Sequence, residues 1–252
     1  MPQRLKFTFE LLALRAQDLS DVPENDDWLG DGEREVLAGL RFPKRRNDWR
    51  LGRWTAKQAI LAFSRLGADA DMSLFEIRAA ADGAPEVFLR NEPAGVAISI
   101  SHAGGRSFCA AGPPDAALGC DVEQLEPRGE LFVADYFTPE EIELARATAP
   151  KGKTLVTNLI WSAKESVLKA LREGLRRDTR DISVQPDLSR IFHGRDARHC
   201  VSTLSRWTAR CGRTSREFHG HWRADLRFVY TTTSLFHTPN LPNHTQKVKS
   251  YE

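Results

Sequence analysis

Two long stretches of the chain place apolar residues at the spacing of an α-helix. The first predicts a helix over Asn47–Leu66, which Gly67 is placed to end. The second predicts a helix over Thr154–Arg172, which Gly174 ends. They are the strong helical signals of the two halves of the sequence. The apolar period of the first is carried by Trp49, Trp54, Ile60, Leu61 and Phe63.

Shorter helices are predicted at Glu33–Leu40, after an acidic loop over Pro23–Gly32, and at Thr138–Thr148. The second of these begins with a hydroxyl cap, a proline in the first turn and Glu141 three positions after the cap. Residues 150–153, which include a proline and a glycine, are expected to form a loop.

Several shorter segments alternate apolar and polar residues and predict strands. A hairpin is expected around residues 112–115, where glycine, two prolines and an aspartate are consecutive. The stretch from Arg195 to Arg216 is too rich in arginine to assign, and the tail after Pro239 is expected to fray. The predicted strands are Phe7–Leu14, Leu74–Arg78, Glu86–Leu89, Val96–Ser101, Phe108–Ala111, Ala116–Glu123, Ile182–Val184 and Leu226–Thr233.

This order of elements predicts an α+β fold. Strands and one long helix come first, followed by two helices and further strands, which suggests two halves of similar size meeting near residues 105–115. No sequence repeat is evident to support that division.

Composition and charge exclude several classes of protein. With 252 residues, 41% hydrophobic and 28% charged, the chain is expected to fold and to bury a core, which excludes wholesale disorder, collagen and a long coiled coil. Its 36 basic and 34 acidic residues give no overall reason to expect a polyanion partner, so any basic site must be local. No apolar run approaches the roughly 20 residues of a membrane span, and no secretory signal is expected.

The four cysteines are spaced 11, 80 and 11 residues apart without a CxxC pair, which favours a reduced, cytoplasmic protein. Whether Cys200 and Cys211 meet across a hairpin stays open.

A first chemical candidate is the strand end Gly119-Cys-Asp-Val-Glu123. Side chains alternate along a strand, so Asp121 and Glu123 point to one side with Cα atoms roughly 6.5 to 7 Å apart. Two such carboxylates suit a hard cation such as Mg²⁺. Taken alone, the pattern fits an exposed acidic strand end better.

A second candidate lies on the later long helix, in Trp161-Ser-Ala-Lys-Glu-Ser-Val-Leu-Lys169. Glu165 and Lys169 are four apart and share a face, which Trp161 also shares with Glu165. Taken in isolation, a surface ion pair explains this spacing better. The helix is mostly apolar, however, and charges beside an aromatic face are costly unless they are used.

Two further segments are candidates for phosphate contacts. Ser101 and His102 precede Gly104 and Gly105, whose backbone N–H groups can approach an anion, although an ordinary loop histidine fits too. A basic run interleaved with Trp49 and Trp54 is typical of a solvated helix face with core aromatics, or of a site for a phosphorylated ligand or nucleic acid. That run comprises Arg41, Lys44, Arg45, Arg46, Arg50, Arg53 and Lys57.

Taken in order, Ser101-His102, Gly119-Cys-Asp-Val-Glu123 and Trp161 to Lys169 resemble the motifs of the 4′-phosphopantetheinyl transferase superfamily. The similarity is to its longer, monomeric, surfactin-synthetase-activating type and extends over about residues 30 to 185. Phe137-Thr-Pro-Glu-Glu141 and Glu173-Gly-Leu175 also resemble family segments.

The resemblance implies a pseudo-twofold pair of α/β subdomains with coenzyme A in the cleft between them. It implies an N-terminal half over 1–112 with coenzyme A phosphate contacts, a metal-binding and catalytic half over 113–238, and a flexible tail over 239–252. The implied activity moves phosphopantetheine from coenzyme A to a serine of an apo acyl- or peptidyl-carrier protein and releases adenosine 3′,5′-bisphosphate. It depends on Mg²⁺, with Mn²⁺ as a substitute.

The resemblance also assigns roles. Asp121, Glu123 and Glu165 are implied as the Mg²⁺ ligands, with Glu165 also as the base for the carrier serine, directly or through a metal-bound water, and Lys169 as the charge partner of the pyrophosphate. The implied coenzyme A contacts are Arg53, Lys57, Ser101, His102 and Lys169.

In one place the chain departs from the family. Gly83-Ala84-Pro85 stands where many members have a lysine at the middle position, and Arg46, Arg53 or Lys57 is expected to compensate. Carrier docking is expected near Tyr136, Phe137 and the helix of the 140s, without a readable code for the carrier.

Other functions remain open at this point. They are a coenzyme A- or carrier-binding paralogue without turnover, a metal-dependent pyrophosphate hydrolase, and a nucleic-acid-binding module using the basic run and the arginines between 195 and 216. The preferred prediction is a cytoplasmic, monomeric enzyme with no nucleic-acid or membrane partner.

Overall fold

The computed structural model describes residues 7–9, 12–67, 69–189 and 204–236. Within them, none of the helices has the length and apolar content that a bilayer span requires. Cys200 and the segment after Pro239 lie outside the described residues. The elements are, in chain order, β1 (Phe7–Phe9), β2 (Leu12–Asp18), α1 (Asp31–Gly39), α2 (Pro43–Phe63), β3 (Phe75–Ala79), β4 (Pro85–Leu89), β5 (Glu92–Ala103), β6 (Arg106–Gly112), β7 (Ala116–Gln124), α3 (Glu130–Tyr136), α4 (Pro139–Ala147), α5 (Pro150–Ala170), β8 (Ile182–Pro186), β9 (Ser205–Cys211), β10 (Glu217–Ala224) and β11 (Phe228–Phe236).

The described strands form two antiparallel sheets, each packed against one long helix. The first sheet has the order β1-β2-β6-β5-β4-β3 and packs against α2, and the second has the order β7-β11-β10-β9-β8 and packs against α5. Apart from β1, both halves follow one plan: a strand, a long helix, and four more strands of which the last pairs with the first. The prediction of an α+β fold with two similar subdomains is confirmed.

The two long helices also share a sequence repeat, so the expectation that none is present is wrong. Trp54-Thr-Ala-Lys57-Gln-Ala-Ile-Leu61 on α2 corresponds to Trp161-Ser-Ala-Lys164-Glu-Ser-Val-Leu168 on α5. The two segments agree at tryptophan, alanine, lysine and leucine, and the other positions differ conservatively. Eight residues in a long chain are easily overlooked until the topology aligns them.

The repeated lysine makes the same buried ion pair in each half. Lys164 is fully buried with its Nζ 2.8 Å from Glu141, and it also donates to the carbonyls of Thr179 and Ile182. Glu141 accepts in addition from the backbone N–H groups of Thr138 and Val184. Helix α4, helix α5 and strand β8 are thereby fastened together.

The corresponding pair in the first half is Lys57 with Glu33, at 2.5 Å. Glu33 accepts from the backbone N–H groups of Gly30 and Ile77, as Glu141 does at the equivalent positions. Burial lowers the pKa of Lys57 and of Lys164, although the neighbouring glutamate opposes the shift in each case.

Several predicted elements differ from those observed. The predicted first strand is two strands, β1 and β2, which pair with each other through Phe9 and Leu12. The predicted hairpin around residues 112–115 is wrong, because β6 pairs with β2 and β5 while β7 pairs with β11. The turn there joins the two sheets. Alternation along a strand reports which side chains share a face, and it carries no information about the partner strand.

Both long helices begin earlier than predicted because each has proline in its first turn, where the missing N–H costs nothing. Residues 150–153 are therefore helical, and α3 was not predicted. The unassigned arginine-rich stretch contains β9, in which buried Trp207, Ala209 and Cys211 alternate with exposed Arg206 and Arg210.

The two halves meet where β7 packs against β5 and β6. Leu14, Phe108 and Ala110 of the first sheet share an apolar cluster with Cys120 and Val122 of β7. Because side chains alternate, the even-numbered residues of β7 face the first sheet and the odd-numbered ones face α5. Asp121 and Glu123 therefore lie beside the seam. At another point, Arg172 after α5 contacts Asp82 and Glu86 of the first half, at 2.7 and 3.2 Å.

Candidate active site at the seam between the halves

A close approach between β7 and α5 brings the two sequence motifs together. A Cβ placed on Gly119 would lie 1.7 Å from the Ser166 carbonyl oxygen, so a side chain at this position is excluded by backbone. Glycine thus lets the strand that carries Asp121 and Glu123 lie directly on the helix that carries Glu165 and Lys169.

Asp121 is buried at the centre of this arrangement. Its Oδ1 accepts from Lys169 Nζ at 2.7 Å and from the Ser101 hydroxyl at 2.7 Å. Lys169 also donates to the Cys120 carbonyl. Ser101 belongs to the first half and the others to the second, so this carboxylate joins the two halves. Asp121 Oδ2 is buried and has no hydrogen-bond partner among the described residues.

Glu123 is held by two donors. Its Oε1 accepts from the Trp161 indole N–H at 3.0 Å, and its Oε2 accepts from Arg128 at 2.6 Å. Burial, followed by the charge of Asp121, raises the pKa of Glu123 to about 7 against the opposing effect of Arg128 and Trp161. Nothing in the sequence pointed to Arg128, which follows β7 in an irregular segment, or to Asn158, which accepts from Arg128 Nε at 2.8 Å.

Glu165 and Lys169 respond to the same charges in opposite directions. Burial and the charge of Asp121 raise the pKa of Glu165, although Lys169 opposes the shift. Burial by itself lowers the pKa of Lys169, but Asp121 and other neighbouring groups outweigh it, and the pKa is raised. The lysine therefore stays charged at neutral pH, and the glutamate is a stronger base than an exposed one.

The donors at this site have the chemistry of a Mg²⁺ site, but they are not gathered into one. Within the part of the chain that the structure describes, no three Asp, Glu, His or Cys side chains are close enough to hold a metal together. The buried, unpartnered Oδ2 of Asp121 fits a cation, and the charge of Asp121 raises the pKa of both Glu123 and Glu165. The two oxygens of Glu123 are engaged by Trp161 and Arg128. The donor chemistry of these residues therefore fits a hard divalent cation, with Asp121 Oδ2 as the unpartnered oxygen.

A groove at the start of α2 includes His102, the residue that follows Ser101. His102 is exposed and lines a cavity of about 450 Å³. The remaining lining residues are Phe42, which caps the N-terminus of α2, and Lys44, Arg45, Asp48 and Trp49 from the first turns of that helix. Phe42 is 71% exposed. Lys44 pairs with Asp48 at 3.3 Å, so the groove combines that ion pair with Arg45, a histidine and two aromatic surfaces. Such a lining suits a ligand that has both phosphate and a flat base.

Lys57 does not line this groove, and its burial weighs against the predicted contact with coenzyme A. Its ammonium is 1% exposed and uses its three donors on Glu33 and on the carbonyls of Trp28 and Met72. Arg53 lies between the two environments, with its guanidinium 4.8 Å above the Trp49 ring and its Nε 3.6 Å from Glu33. Its role as a phosphate contact stays a prediction.

Other members of the basic run are also engaged internally. Arg46 donates to the carbonyls of Leu37 and Leu40, and Arg50 pairs with Asp26 at 2.8 Å. The Arg46 guanidinium therefore donates hydrogen bonds to the C-terminal end of α1 and does not line the groove. These contacts weigh against a continuous nucleic-acid-binding stripe along α2.

The expected docking region is partly exposed. Phe137 is 1% exposed and belongs to the second core, so it is unsuited to docking. Helix α3 instead presents Leu131, which is 80% exposed, and Tyr136, whose ring packs against Trp161 at a centroid distance of 5.2 Å. Because the Trp161 indole also donates to Glu123, the Trp161 side chain connects this exposed face of α3 to the Glu123 carboxylate.

Comparisons with known proteins bear on the same region. A family described as the 4′-phosphopantetheinyl transferase superfamily matches residues 117–224, which include β7 and α5. The 4′-phosphopantetheinyl transferase HetI of Nostoc sp. (strain PCC 7120) is 26% identical over 138 residues, which are 54% of this chain and 56% of that protein. The chain thus spans just over half the length of this curated relative. The crystal structure of Thermotoga maritima holo-[acyl-carrier-protein] synthase (AcpS) gives a TM-score of 0.35 at 17% identity, covering 48% of this chain and 79% of that one.

The family match falls on the strand and the helix that carry the two most specific motifs. HetI supports the same assignment from sequence alone. Residues 117–224 of this chain, which carry both motifs, match the 4′-phosphopantetheinyl transferase superfamily.

Proposed function

We propose that this protein transfers the 4′-phosphopantetheine group of coenzyme A to a serine hydroxyl of an apo acyl- or peptidyl-carrier protein. The observation that carries the proposal is the meeting of Asp121 with Lys169 and with Ser101, which joins the two halves around one buried carboxylate. Transfer at a pyrophosphate depends on charge neutralisation and positioning, and this site offers both.

Mg²⁺, or Mn²⁺ in its place, would be held by Asp121, Glu123 and Glu165. When bound it neutralises negative charge on the pyrophosphate. The unpartnered Oδ2 of Asp121 is the atom in this structure that most favours such a ligand.

The proposed transfer forms one bond to phosphorus and breaks another. The carrier serine oxygen forms a bond to the phosphorus on the pantetheine side, and the bond from that phosphorus to the bridging oxygen breaks. Adenosine 3′,5′-bisphosphate leaves with the bridging oxygen. Glu165 accepts the serine proton, for which its raised pKa suits it, and Lys169 offsets charge on the pyrophosphate.

The groove at the start of α2 is the proposed position of the adenosine end of coenzyme A. Lys44, Arg45 and His102 would contact its phosphates, and Phe42 and Trp49 provide flat surfaces for the adenine. Because Ser101 contacts Asp121 and His102 lines the groove, these adjacent residues connect the two parts of the site. The carrier would approach over Leu131 and Tyr136.

We also propose that residues 1–112 and 113–238 act as the two halves of one catalytic unit, as a monomer in the cytoplasm. Both sides of the proposed site come from one chain, which supports a monomer. Ser101 comes from the first half and Asp121 from the second.

The test is the release of adenosine 3′,5′-bisphosphate with and without an apo carrier. Carrier-dependent release is expected, and Asp121→Asn and Glu165→Gln should reduce it at least a hundredfold while circular dichroism is unchanged. Glu35→Gln, which changes an exposed glutamate of α1 away from the expected docking region, is the matched control. Release without a carrier would indicate a pyrophosphate hydrolase instead, and wild-type rates in both site variants would refute the assignment.

A further inference from the structure

Arg128 lies in a contact network that no motif accounts for. Its Nη2 is 2.6 Å from Glu123 Oε2 and its Nε is 2.8 Å from Asn158 Oδ1. Its guanidinium also lies 4.9 Å from the Phe132 ring centroid. Asn158 is itself fixed, because its amide donates to the carbonyls of Glu126 and Thr154. The arginine is therefore placed by several groups besides the carboxylate.

The other charged groups at the seam show which cation is paired with the Glu123 carboxylate. Asp121, Glu123 and Glu165 are three neighbouring acids, and the Lys169 ammonium forms its ion pair with Asp121. Within the described residues, Glu123 forms its ion pair with Arg128. A half-buried carboxylate needs such a counter-charge, because burial without one is costly.

The same contact explains why the acids are not gathered around one point. Arg128 and Trp161 occupy opposite oxygens of Glu123, while Asp121 leaves one oxygen without a partner. A cation bound between these acids would lie close to the positive guanidinium and be repelled by it. A cation and Arg128 would thus compete for the same carboxylate, that of Glu123.

We propose that Arg128 is the internal counter-ion of Glu123 in the cation-free protein and that a divalent cation competes with it for this carboxylate. Arg128 is then a positioning residue that sets the cation affinity. When Glu123 turns to the cation, Asn158 and the Phe132 ring still hold the guanidinium in place. This inference rests on the proposed function, because it takes Glu123 as a cation ligand.

The experiment measures Mn²⁺ binding by electron paramagnetic resonance of the free ion, on the full chain without coenzyme A or carrier. Arg128→Gln removes the charge and should bind Mn²⁺ about tenfold tighter than wild type, whereas Arg128→Lys should stay within about twofold. Arg146→Gln, which changes an exposed arginine of α4, controls for net charge and should have no effect.

Thermal unfolding separates this role from a merely structural one. Arg128→Gln should unfold at a lower temperature than wild type in chelator, and added Mn²⁺ should remove most of the difference. An equal loss in both conditions would mean that the arginine only supports the fold, and the proposal would be wrong.

The outcomes also separate this proposal from the proposed function. If wild type binds Mn²⁺ and Arg128→Gln binds it no tighter, the counter-ion role fails while the proposed function stands. If neither protein binds Mn²⁺, the cation site itself fails, and this inference fails with it.

Discussion

Replacing Gly119 by alanine should separate the strand and the helix that form the site. The added Cβ would lie 1.7 Å from the Ser166 carbonyl oxygen and 2.6 Å from its carbon, where ordinary contact begins near 3.4 Å. Backbone at this point of α5 would have to move by roughly 1.5 Å, since no flexible side chain can give way. Overpacking of this kind costs about 1 to 3 kcal/mol, and a clash with helix backbone belongs at the upper end.

Two assays measure the effect of Gly119→Ala. Urea unfolding should show a loss of about 3 kcal/mol in the free energy of unfolding. The transfer rate of the folded fraction should fall about a hundredfold, because Glu165 and Lys169 move with the helix. Gly39→Ala is the control, since a Cβ there meets nothing within 4 Å. A free energy of unfolding for Gly119→Ala within about 0.5 kcal/mol of wild type would refute the reasoning from close approach.

Three further predictions concern other charged groups. Lys164→Met leaves Glu141 buried without its partner and should cost about 3 to 5 kcal/mol by urea unfolding, more than the double change with Glu141→Gln; a double variant as unstable as the single one would contradict this. Mn²⁺ affinity should rise with pH and level off at about pH 8, about one unit above the raised pKa of Glu123 (about 7), because a proton on that carboxyl competes with the cation. Equal affinities at pH 6 and pH 8 would count against it. The double change Lys44→Ala with Arg45→Ala should raise the KM for coenzyme A about tenfold with little change in kcat, as measured by initial rates. An unchanged KM would show that the groove does not bind coenzyme A.

The sequence predicted the parts of the site that depend on local periodicity. Asp121 and Glu123 share a strand face, and Glu165 and Lys169 share a helix face, as their spacing requires. Their meeting across β7 and α5 followed from the family resemblance and was not predictable from either segment. The close approach at Gly119 is the physical reason that they meet.

What the sequence did not predict depends on long-range partners. In the sequence, Lys57 is one of several cationic residues on a basic helix. In the structure its ammonium forms a buried ion pair with Glu33. The repeat with Lys164 indicates this once the two helices are aligned. Arg128 is recognisable as part of the site from its contact with Glu123, since no spacing rule relates an irregular segment to a strand face.

The most direct test of the account is the intact mass of an apo carrier protein after incubation with this protein, coenzyme A and Mg²⁺. A panel covering fatty-acid, polyketide, nonribosomal-peptide and lysine-biosynthetic carriers is needed, because the sequence does not identify the partner. We predict that at least one carrier gains the mass of a single phosphopantetheine group, and that the same carrier with its acceptor serine changed to alanine gains none. An unchanged mass for every carrier in the panel would contradict the central claim.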